Sequence, residues 1–233
     1  MFQPLLCHPS PRRELASLLR LLVTARRTVP KGGRVLAVTS VLHPQRTRAS
    51  VTSSARMTHK PDEFLYFAYG SNMWSNRIHI RNPTAKFFDI GELEGYRVDF
   101  VDEYDSWQGA SAVLEKDDQR TTHGVVWTIP KAEVMHLDKQ ESSYDAGDVT
   151  VKLSSGEKVV CRTYFYSARK PGKKCLPSLL YKAVLVAGAI EHKLPESYIQ
   201  ELVKQPDNGK TKGINVGINV EKLRSDVNGY LTV

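Results

Sequence analysis

A run of apolar and aromatic residues at positions 64–69, closed by Gly70, constrains the fold more than any other part of the sequence. The run reads Phe-Leu-Tyr-Phe-Ala-Tyr, which is typical of a buried strand. Ser71 and Asn72 follow, and both residue types favour helix N-termini. The sequence then predicts a short helix over residues 73–81. The unit is therefore a buried strand, a tight turn at glycine and the start of a helix.

Strand patterns dominate the middle of the chain and helical patterns dominate its end. Strands are predicted at residues 87–93, 96–101, 110–114, 124–129, 149–153 and 159–166. We expect the first two to pair around Glu94-Gly95 and the last two to form a hairpin. Helices are predicted at residues 130–139, 178–193 and 196–204. This order predicts an α+β fold with a small mixed β-barrel or strongly curved sheet and flanking helices.

The positive charge of the chain lies in its first 56 residues. The whole sequence has a formal charge of +8, which in general suggests nucleic acid or an anionic membrane as a partner. Residues 1–56, however, carry nine Arg and one Lys against the single acid Glu14. The rest of the chain is close to neutral, so we expect no nucleic-acid or membrane partner for it.

Residues 1–56 have the character of a basic leader. Four leucines fall on one face of a helix, namely Leu15, Leu18, Leu19 and Leu22. A basic, acid-poor amphipathic helix is typical of a mitochondrial presequence. The alternative is a leader without a targeting role, upstream of a start at Met57. We expect residues 1–56 to be disordered, residues 57–205 to form the folded domain and residues 206–233 to form a weakly ordered tail.

Composition argues against several other classes of protein. No stretch approaches the roughly 18 apolar residues of a membrane-spanning helix. The three cysteines (Cys7, Cys161 and Cys175) form no CxxC pair, which argues against a disulfide framework and against a structural zinc site. This cysteine usage favours a reducing compartment. The histidines are scattered, without the spacing of metal ligands.

Three places in the sequence offer residues suited to chemistry. The turn at residues 69–72 presents backbone N–H groups at a helix N-terminus, which suits a carboxylate or a developing oxyanion. Asp138 or Glu141, near the end of the predicted helix at 130–139, could act as a general base if burial raises its pKa. Periodicity does not choose between these two acids. Tyr181, in the first turn of a later helix, suits either packing or ligand contact.

Five short segments of the sequence occur together, and in the same order, in one protein family. They are FLYFAYGSN at 64–72, NPTA at 82–85, GVVW at 124–127, LDKQE at 137–141 and PSLLYK at 177–182. In these segments the sequence resembles the γ-glutamylcyclotransferase family, whose members convert γ-glutamyl amino acids to 5-oxoproline and a free amino acid. The likeness runs from about Asp62 to Leu202. Met73 stands where a Leu is usual in the animal enzymes, a change that conserves size.

The resemblance implies particular roles for particular residues. Glu141 matches the catalytic base of the family, and Tyr181 matches a tyrosine that contacts the substrate. The substrate-binding strand and loop correspond to Tyr66, Phe67, Ala68, Tyr69, Gly70, Ser71 and Asn72. The family fold is a compact α+β structure around a small mixed barrel, with no metal or organic cofactor.

The resemblance also implies a cytoplasmic homodimer that acts on a small γ-glutamyl peptide in glutathione metabolism. A mitochondrial location is the alternative if residues 1–56 act as a presequence. Two alternatives for the activity stay open at this point. One is a related cyclotransferase that acts on γ-glutamylamines or glutathione, and the other is a non-catalytic module that binds such a ligand.

Overall fold

The computed structural model describes residues 59–166 and 173–233. The predicted leader at residues 1–56 lies outside the described residues, and so does the proposed start at Met57. Within the described ranges the chain forms five strands and five α-helices. In chain order these are β1 (Glu63–Ala68), α1 (Ser75–Ile78), β2 (Lys86–Tyr104), β3 (Gly109–Pro130), α2 (Val134–Gln140), β4 (Tyr144–Leu153), β5 (Lys158–Tyr166), α3 (Leu179–Glu191), α4 (Glu196–Lys204) and α5 (Val220–Asp226).

The five strands close into a barrel in the order β1-β3-β2-β4-β5. β1 runs antiparallel to β3 and parallel to β5, and the other neighbouring strands are antiparallel. The barrel is therefore mixed, and the predicted α+β class with a small mixed barrel is confirmed. The predicted hairpin of β4 and β5 is also confirmed.

β2 and β3 are longer than the sequence predicts. The prediction of two strands paired around Glu94-Gly95 is wrong, because both are halves of the single strand β2. Two further predicted strands are likewise the two halves of β3, which pairs with β2 along most of its length. Gly95 has a φ of 80°, and the register shifts between Glu94 and Tyr96. A glycine with positive φ suits a bulge as well as a turn, and here it forms a bulge.

An aromatic ring from β1 fills the barrel interior. Phe67 is fully buried, and its ring lies against Gly124 of β3. A Cβ atom at position 124 would lie 2.7 Å from this ring and 2.4 Å from the carbonyl oxygen of Ala68. Any larger residue would therefore push the two strands apart. Burial of a side chain of this size stabilises the fold by about 2 kcal/mol.

α3 packs against the barrel and against the loop that follows β1. The side-chain oxygen of Ser178 accepts a hydrogen bond from the Tyr181 N–H at 3.1 Å and so caps the helix. Residues 180–189 are all buried. A Cβ atom at Gly188 would lie 2.7 Å from the backbone of Met73, so this glycine permits the close approach of helix and loop. None of the helices in the described ranges is long and apolar enough to cross a membrane.

Residues 206–233 pack on the domain, which differs from the weakly ordered tail expected from the sequence. α5 packs on α3, and Leu223 and Val227 are fully buried. The indole Nε1 of Trp74 donates a hydrogen bond to Asp226 Oδ2 at 3.0 Å. Val220, Leu223 and Val227 lie at i, i+3 and i+7, which is the spacing of one helical face. The expectation of a weakly ordered tail did not take this pattern into account, and the contacts with α3 and Trp74 stabilise the segment.

We expect Leu223→Ala to lower the free energy of unfolding of the full chain by about 2–4 kcal/mol, because the substitution leaves a cavity between α5 and α3. Urea denaturation measures this quantity. Glu221→Ala is the matched control on the same helix. Its side chain is 85% exposed, so its effect should stay within about 0.5 kcal/mol. Equal, small effects of both variants would show that α5 does not contribute to the stability of the domain.

Candidate active site

A cavity of about 230 Å³ opens at the C-terminal end of β1. Every strand of the barrel contributes to its walls, together with α1, α2 and α3. Six tyrosines line it, namely Tyr66, Tyr69, Tyr104, Tyr144, Tyr164 and Tyr181. Its charged side chains are Arg77, Arg81 and Glu141. A concave site with a few converging polar groups is the usual form of a small-molecule site.

The loop that follows β1 is held by hydrogen bonds from two other elements. Ser71–Met73 form a 3-10 turn, and α1 is only four residues long. The predicted helix is therefore shorter than expected, and its dipole is a correspondingly weaker source of positive potential. Trp127 Nε1 of β3 donates to the Asn72 carbonyl oxygen at 3.1 Å. The carboxylate of Glu191, at the end of α3, accepts from the Ser75 N–H at 2.9 Å.

The side chain of Asn72 links β1 to the end of α2. Its Nδ2 donates to the Tyr66 hydroxyl at 3.2 Å and to Glu141 Oε1 at 3.1 Å. Gln140 Nε2 also donates to Glu141 Oε1, at 3.3 Å. Two amide groups therefore orient this carboxylate within the cavity.

Burial raises the pKa of Glu141. The positive charges of Arg77 and Arg81 and the hydrogen bonds from Asn72 and Gln140 act in the opposite direction, and burial outweighs them. A carboxylate whose pKa is raised towards neutrality is a better proton acceptor, and its protonated form is a usable donor. Glu141 can therefore take a proton from a bound molecule and return it.

Asp138, the other acid considered from the sequence, does not line the cavity. Arg162 Nη2 contacts both of its carboxylate oxygens, at 2.6 and 2.8 Å, and the Tyr164 hydroxyl donates to it at 2.6 Å. Burial acts to raise the pKa of Asp138, but these hydrogen bonds outweigh it and hold the pKa below its usual range. Asp138 is thus an ion-pair partner that holds α2 on β5, and only Glu141 of the two acids lies in the cavity.

Tyr181 forms part of the cavity wall next to Gly70. Its hydroxyl accepts a hydrogen bond from the Ala112 N–H at 3.0 Å, and its ring packs edge-on against Trp107 with centroids 4.7 Å apart. A Cβ atom on Gly70 would lie 3.4 Å from this hydroxyl. Burial raises the pKa of Tyr181 to about 12, so the hydroxyl stays protonated and can donate to a ligand.

The structure brings together most, but not all, of the residues predicted to bind substrate. Tyr66, Tyr69, Gly70, Ser71, Asn72 and Tyr181 line the cavity together with Glu141. Phe67 and Ala68 do not. Successive side chains of a strand point to opposite faces, and Phe67 therefore enters the barrel interior while Tyr66 faces the cavity. Ala68 is buried in the core as the last residue of β1.

Sequence reasoning missed several residues of the cavity. Arg77 and Arg81 lie four residues apart, so both can face the cavity from one side of a helical turn. That spacing after the YGSN turn is a signal that could have identified them. Trp107 and Tyr144 come from the β2–β3 connection and from β4. Only the closure of the barrel brings these two residues to the site, and no local pattern indicates it.

The part of the chain that the structure describes contains no set of side chains suited to hold a metal ion. No group of three or more His, Cys, Asp and Glu side chains in residues 59–166 and 173–233 is arranged to hold a metal ion. The expectation of a cofactor-free site stays a prediction. The donor groups of the cavity are mainly phenols, amides and guanidinium groups, which suit an organic ligand with carboxylates.

The chain is similar in sequence to characterised enzymes. The model of the AIG2-like family matches residues 121–202. Bovine γ-glutamylcyclotransferase is 35% identical over 160 residues, which span 65% of this chain and 84% of the relative. Human γ-glutamylcyclotransferase is 36% identical over 152 residues, which span 61% of this chain and 79% of the relative.

Solved structures show the same fold. A structure of γ-glutamyl cyclotransferase superposes with a TM-score of 0.64 at 31% identity and covers 70% of this chain and 96% of the other. YkqA from Bacillus subtilis, at 22% identity and a TM-score of 0.52, shares the fold alone. Because this chain spans 84% of the bovine enzyme at 35% identity and has the same fold as a solved member, it belongs to the γ-glutamylcyclotransferase family.

Proposed function

We propose that this protein is a γ-glutamylcyclotransferase that converts γ-glutamyl amino acids to 5-oxoproline and the free amino acid, with Glu141 as general acid and base. The observation that carries the proposal is the position of Glu141. Its carboxylate lies in the cavity, is oriented by Asn72 and Gln140, and has a pKa raised by burial. Family membership agrees with this activity.

The reaction needs little beyond positioning and one proton carrier. In a γ-glutamyl peptide the α-amine can attack the γ-carbonyl of the same molecule, and a five-membered ring results. A cavity that holds the substrate in the folded geometry removes much of the barrier. The α-amine is an ammonium ion at neutral pH. Glu141 accepts its proton and later returns it to the amine that leaves.

The groups around Glu141 suit the other parts of the reaction. The backbone N–H groups of residues 70–72 suit either the oxyanion of the tetrahedral intermediate or the α-carboxylate of the substrate. The Tyr181 hydroxyl lies beside Gly70 and is a further donor to the same region. Stabilisation of a developing oxyanion by fixed donors is in general worth about 3 kcal/mol per donor.

The proposal extends to the setting of the enzyme. The resemblance to the family supports a homodimer in the cytoplasm, and mitochondrial import is the alternative for a chain with a basic leader. Cys161 is a free, buried thiol, which agrees with a reducing compartment. Gel filtration with light scattering tests the dimer, and fractionation with an antibody against the domain tests the compartment.

We expect Glu141→Gln to lower kcat for γ-Glu-Ala by about 100- to 10,000-fold, because general acid–base catalysis contributes factors of this size. Release of 5-oxoproline measures the activity. Glutamine keeps the shape of the side chain and can still accept from the Asn72 amide. It also removes a charge that is costly to bury, so its Tm at pH 7 should equal or exceed that of the parent. Turnover at the parental rate would overturn the assigned role of Glu141.

Asp138→Asn is the matched variant at the second acid of the same helix end. We expect this variant to keep kcat within about threefold of the parent value, because Asp138 lies outside the cavity. It should lower the free energy of unfolding by about 1 kcal/mol, because a partly exposed ion pair with Arg162 is lost. The activity assay and urea denaturation measure the two effects. If Asp138→Asn removed activity while Glu141→Gln retained it, the base would be Asp138.

The pH dependence of kcat/KM should show the raised pKa of Glu141. The base must be ionised, so activity falls as pH falls through this pKa. We expect the midpoint of the acid limb above the usual glutamate value of about 4.3, because burial raises the pKa of Glu141. The charge of Glu141 contributes to the raised pKa of five tyrosines, namely Tyr66, Tyr69, Tyr104, Tyr144 and Tyr181. These tyrosines stay neutral across the limb.

The two arginines that act on Glu141 stay positive across the same range. The residual activity of Glu141→Gln serves as the control, since it should lack the acid limb. A midpoint at or below about 4.3 in the parent would contradict a base in a desolvated position.

A further inference from the structure

Two arginines supply the positive charge of the cavity. Arg77 lies on α1 and Arg81 one turn further along the chain, and both line the cavity. Neither lies at ion-pair distance from a carboxylate of residues 59–166 or 173–233, although the charge of Glu141 acts on Arg77. The Nε atom of Arg77 is buried and has no hydrogen-bond partner within that part of the chain. A buried N–H without a hydrogen-bond acceptor is costly, and a ligand that supplies an acceptor offsets this cost.

The charges of the cavity match those of a γ-glutamyl amino acid. Glu141 is the one acid of the lining, and Arg77 and Arg81 are its two cations. At neutral pH a γ-glutamyl amino acid carries one ammonium ion and two carboxylates, one on the glutamyl α-carbon and one on the residue that leaves. A γ-glutamylamine lacks the second carboxylate. The cavity therefore offers one opposite charge for each charge of the amino acid derivative, and one cation too many for the amine.

The two arginines lie at different depths relative to Glu141. The side chain of Arg77 is half-buried, and its Cζ lies 5.6 Å from the ring centroid of Trp107. Arg81 is exposed. The charge of Arg77 acts on Glu141 more strongly than the charge of Arg81 does, as expected for the nearer cation. The glutamyl α-carboxylate shares a carbon with the ammonium ion that Glu141 must contact, so it must lie near Glu141 as well.

We propose that Arg77 binds the α-carboxylate of the γ-glutamyl group and that Arg81, at the mouth of the cavity, binds the carboxylate of the amino acid that leaves. This inference rests on the proposed cyclotransferase activity and assigns the residues that bind and select its substrate. Arg77 then serves every γ-glutamyl substrate, whereas Arg81 favours γ-glutamyl amino acids over γ-glutamylamines. A planar guanidinium group suits both tasks, because it binds a carboxylate through two parallel hydrogen bonds.

The test compares two substrates that differ by one carboxylate. γ-Glu-Ala and γ-glutamyl ethylamide have the same skeleton up to the carboxylate of alanine, and 5-oxoproline release reports kcat/KM for each. The parent should prefer γ-Glu-Ala by about two- to fivefold, the range for an exposed ion pair. This preference should shrink in about 1 M salt, where charges are screened within ~3 Å.

The same substitution by Met should change kcat/KM for the two substrates differently at Arg77 and at Arg81. Arg77→Met should lower kcat/KM for both substrates by about 10- to 100-fold, since a hydrogen-bonded charge in a partly desolvated site is lost. It should also move the acid limb to higher pH, because the positive charge that lowers the pKa of Glu141 is gone. Arg81→Met should lower kcat/KM for γ-Glu-Ala about two- to fivefold more than kcat/KM for the ethylamide, and so remove the preference for γ-Glu-Ala.

Arg120→Met is the control for loss of one positive charge. Arg120 pairs with Glu201 at an exposed position and does not line the cavity, so both rates should stay as in the parent. Arg77→Lys keeps the charge and provides a second variant if Arg77→Met does not fold. It should keep the acid limb in place while kcat/KM falls for both substrates.

The outcomes separate this inference from the proposed function. If the parent releases 5-oxoproline from neither substrate, the proposed function fails. Three other results would show that the assignment of the two arginines is wrong while the activity stands. The parent could prefer neither substrate, Arg77→Met could affect γ-Glu-Ala alone, or Arg81→Met could affect both substrates equally.

Discussion

The hydrogen bond between the Asn72 amide and the Glu141 carboxylate, at 3.1 Å, is the contact around which the site is organised. A carboxylate that is removed from water is unstable unless donors orient and partly compensate it. Asn72 supplies one donor from the loop after β1, and its other amide hydrogen contacts the Tyr66 hydroxyl. One side chain thus connects the strand, the loop and the acid. The loop must be rigid for this contact to persist, and hydrogen bonds from Trp127 and Glu191 fix it from β3 and α3.

Close packing at small residues allows this rigidity. The ring of Phe67 occupies the space left by Gly124, and α3 approaches the loop where Gly188 lacks a side chain. Interiors packed to this density transmit the position of one element to the next. The same packing separates the functions of neighbouring residues on β1, because alternation along a strand sends Phe67 into the barrel and Tyr66 into the cavity. Fold stability and site geometry therefore depend on the same strand.

Much of the fold and part of the site could be predicted from the sequence, and the reasons differ from place to place. The aromatic strand, the helices after residue 178 and the hairpin of β4 and β5 have clear periodicity, and the structure contains them. The bulge at Gly95 could not be distinguished from a turn, since positive φ suits both. Glu141 and Asp138 could not be separated, because their difference comes from the Arg162 ion pair, a contact made across the fold. Arg77 was missed for a related reason, since only the fold shows that its side chain lines the cavity beside Glu141.

Two described parts of the chain that depart from the family resemblance are in contact with each other. One is the position after the YGSN turn, where Met73 replaces the usual Leu and Trp74 follows it. The other is the segment after Lys204, which forms α5. Trp74 is fully buried, and its indole N–H needs an acceptor once it is removed from water. Asp226 of α5 supplies that acceptor. The hydrogen bond from Trp74 therefore joins the C-terminal segment to the loop after β1. The sequence after residue 204 is part of the same folded unit as the site, and the i, i+3, i+7 spacing of Val220, Leu223 and Val227 is the pattern within it that indicates a packed helix.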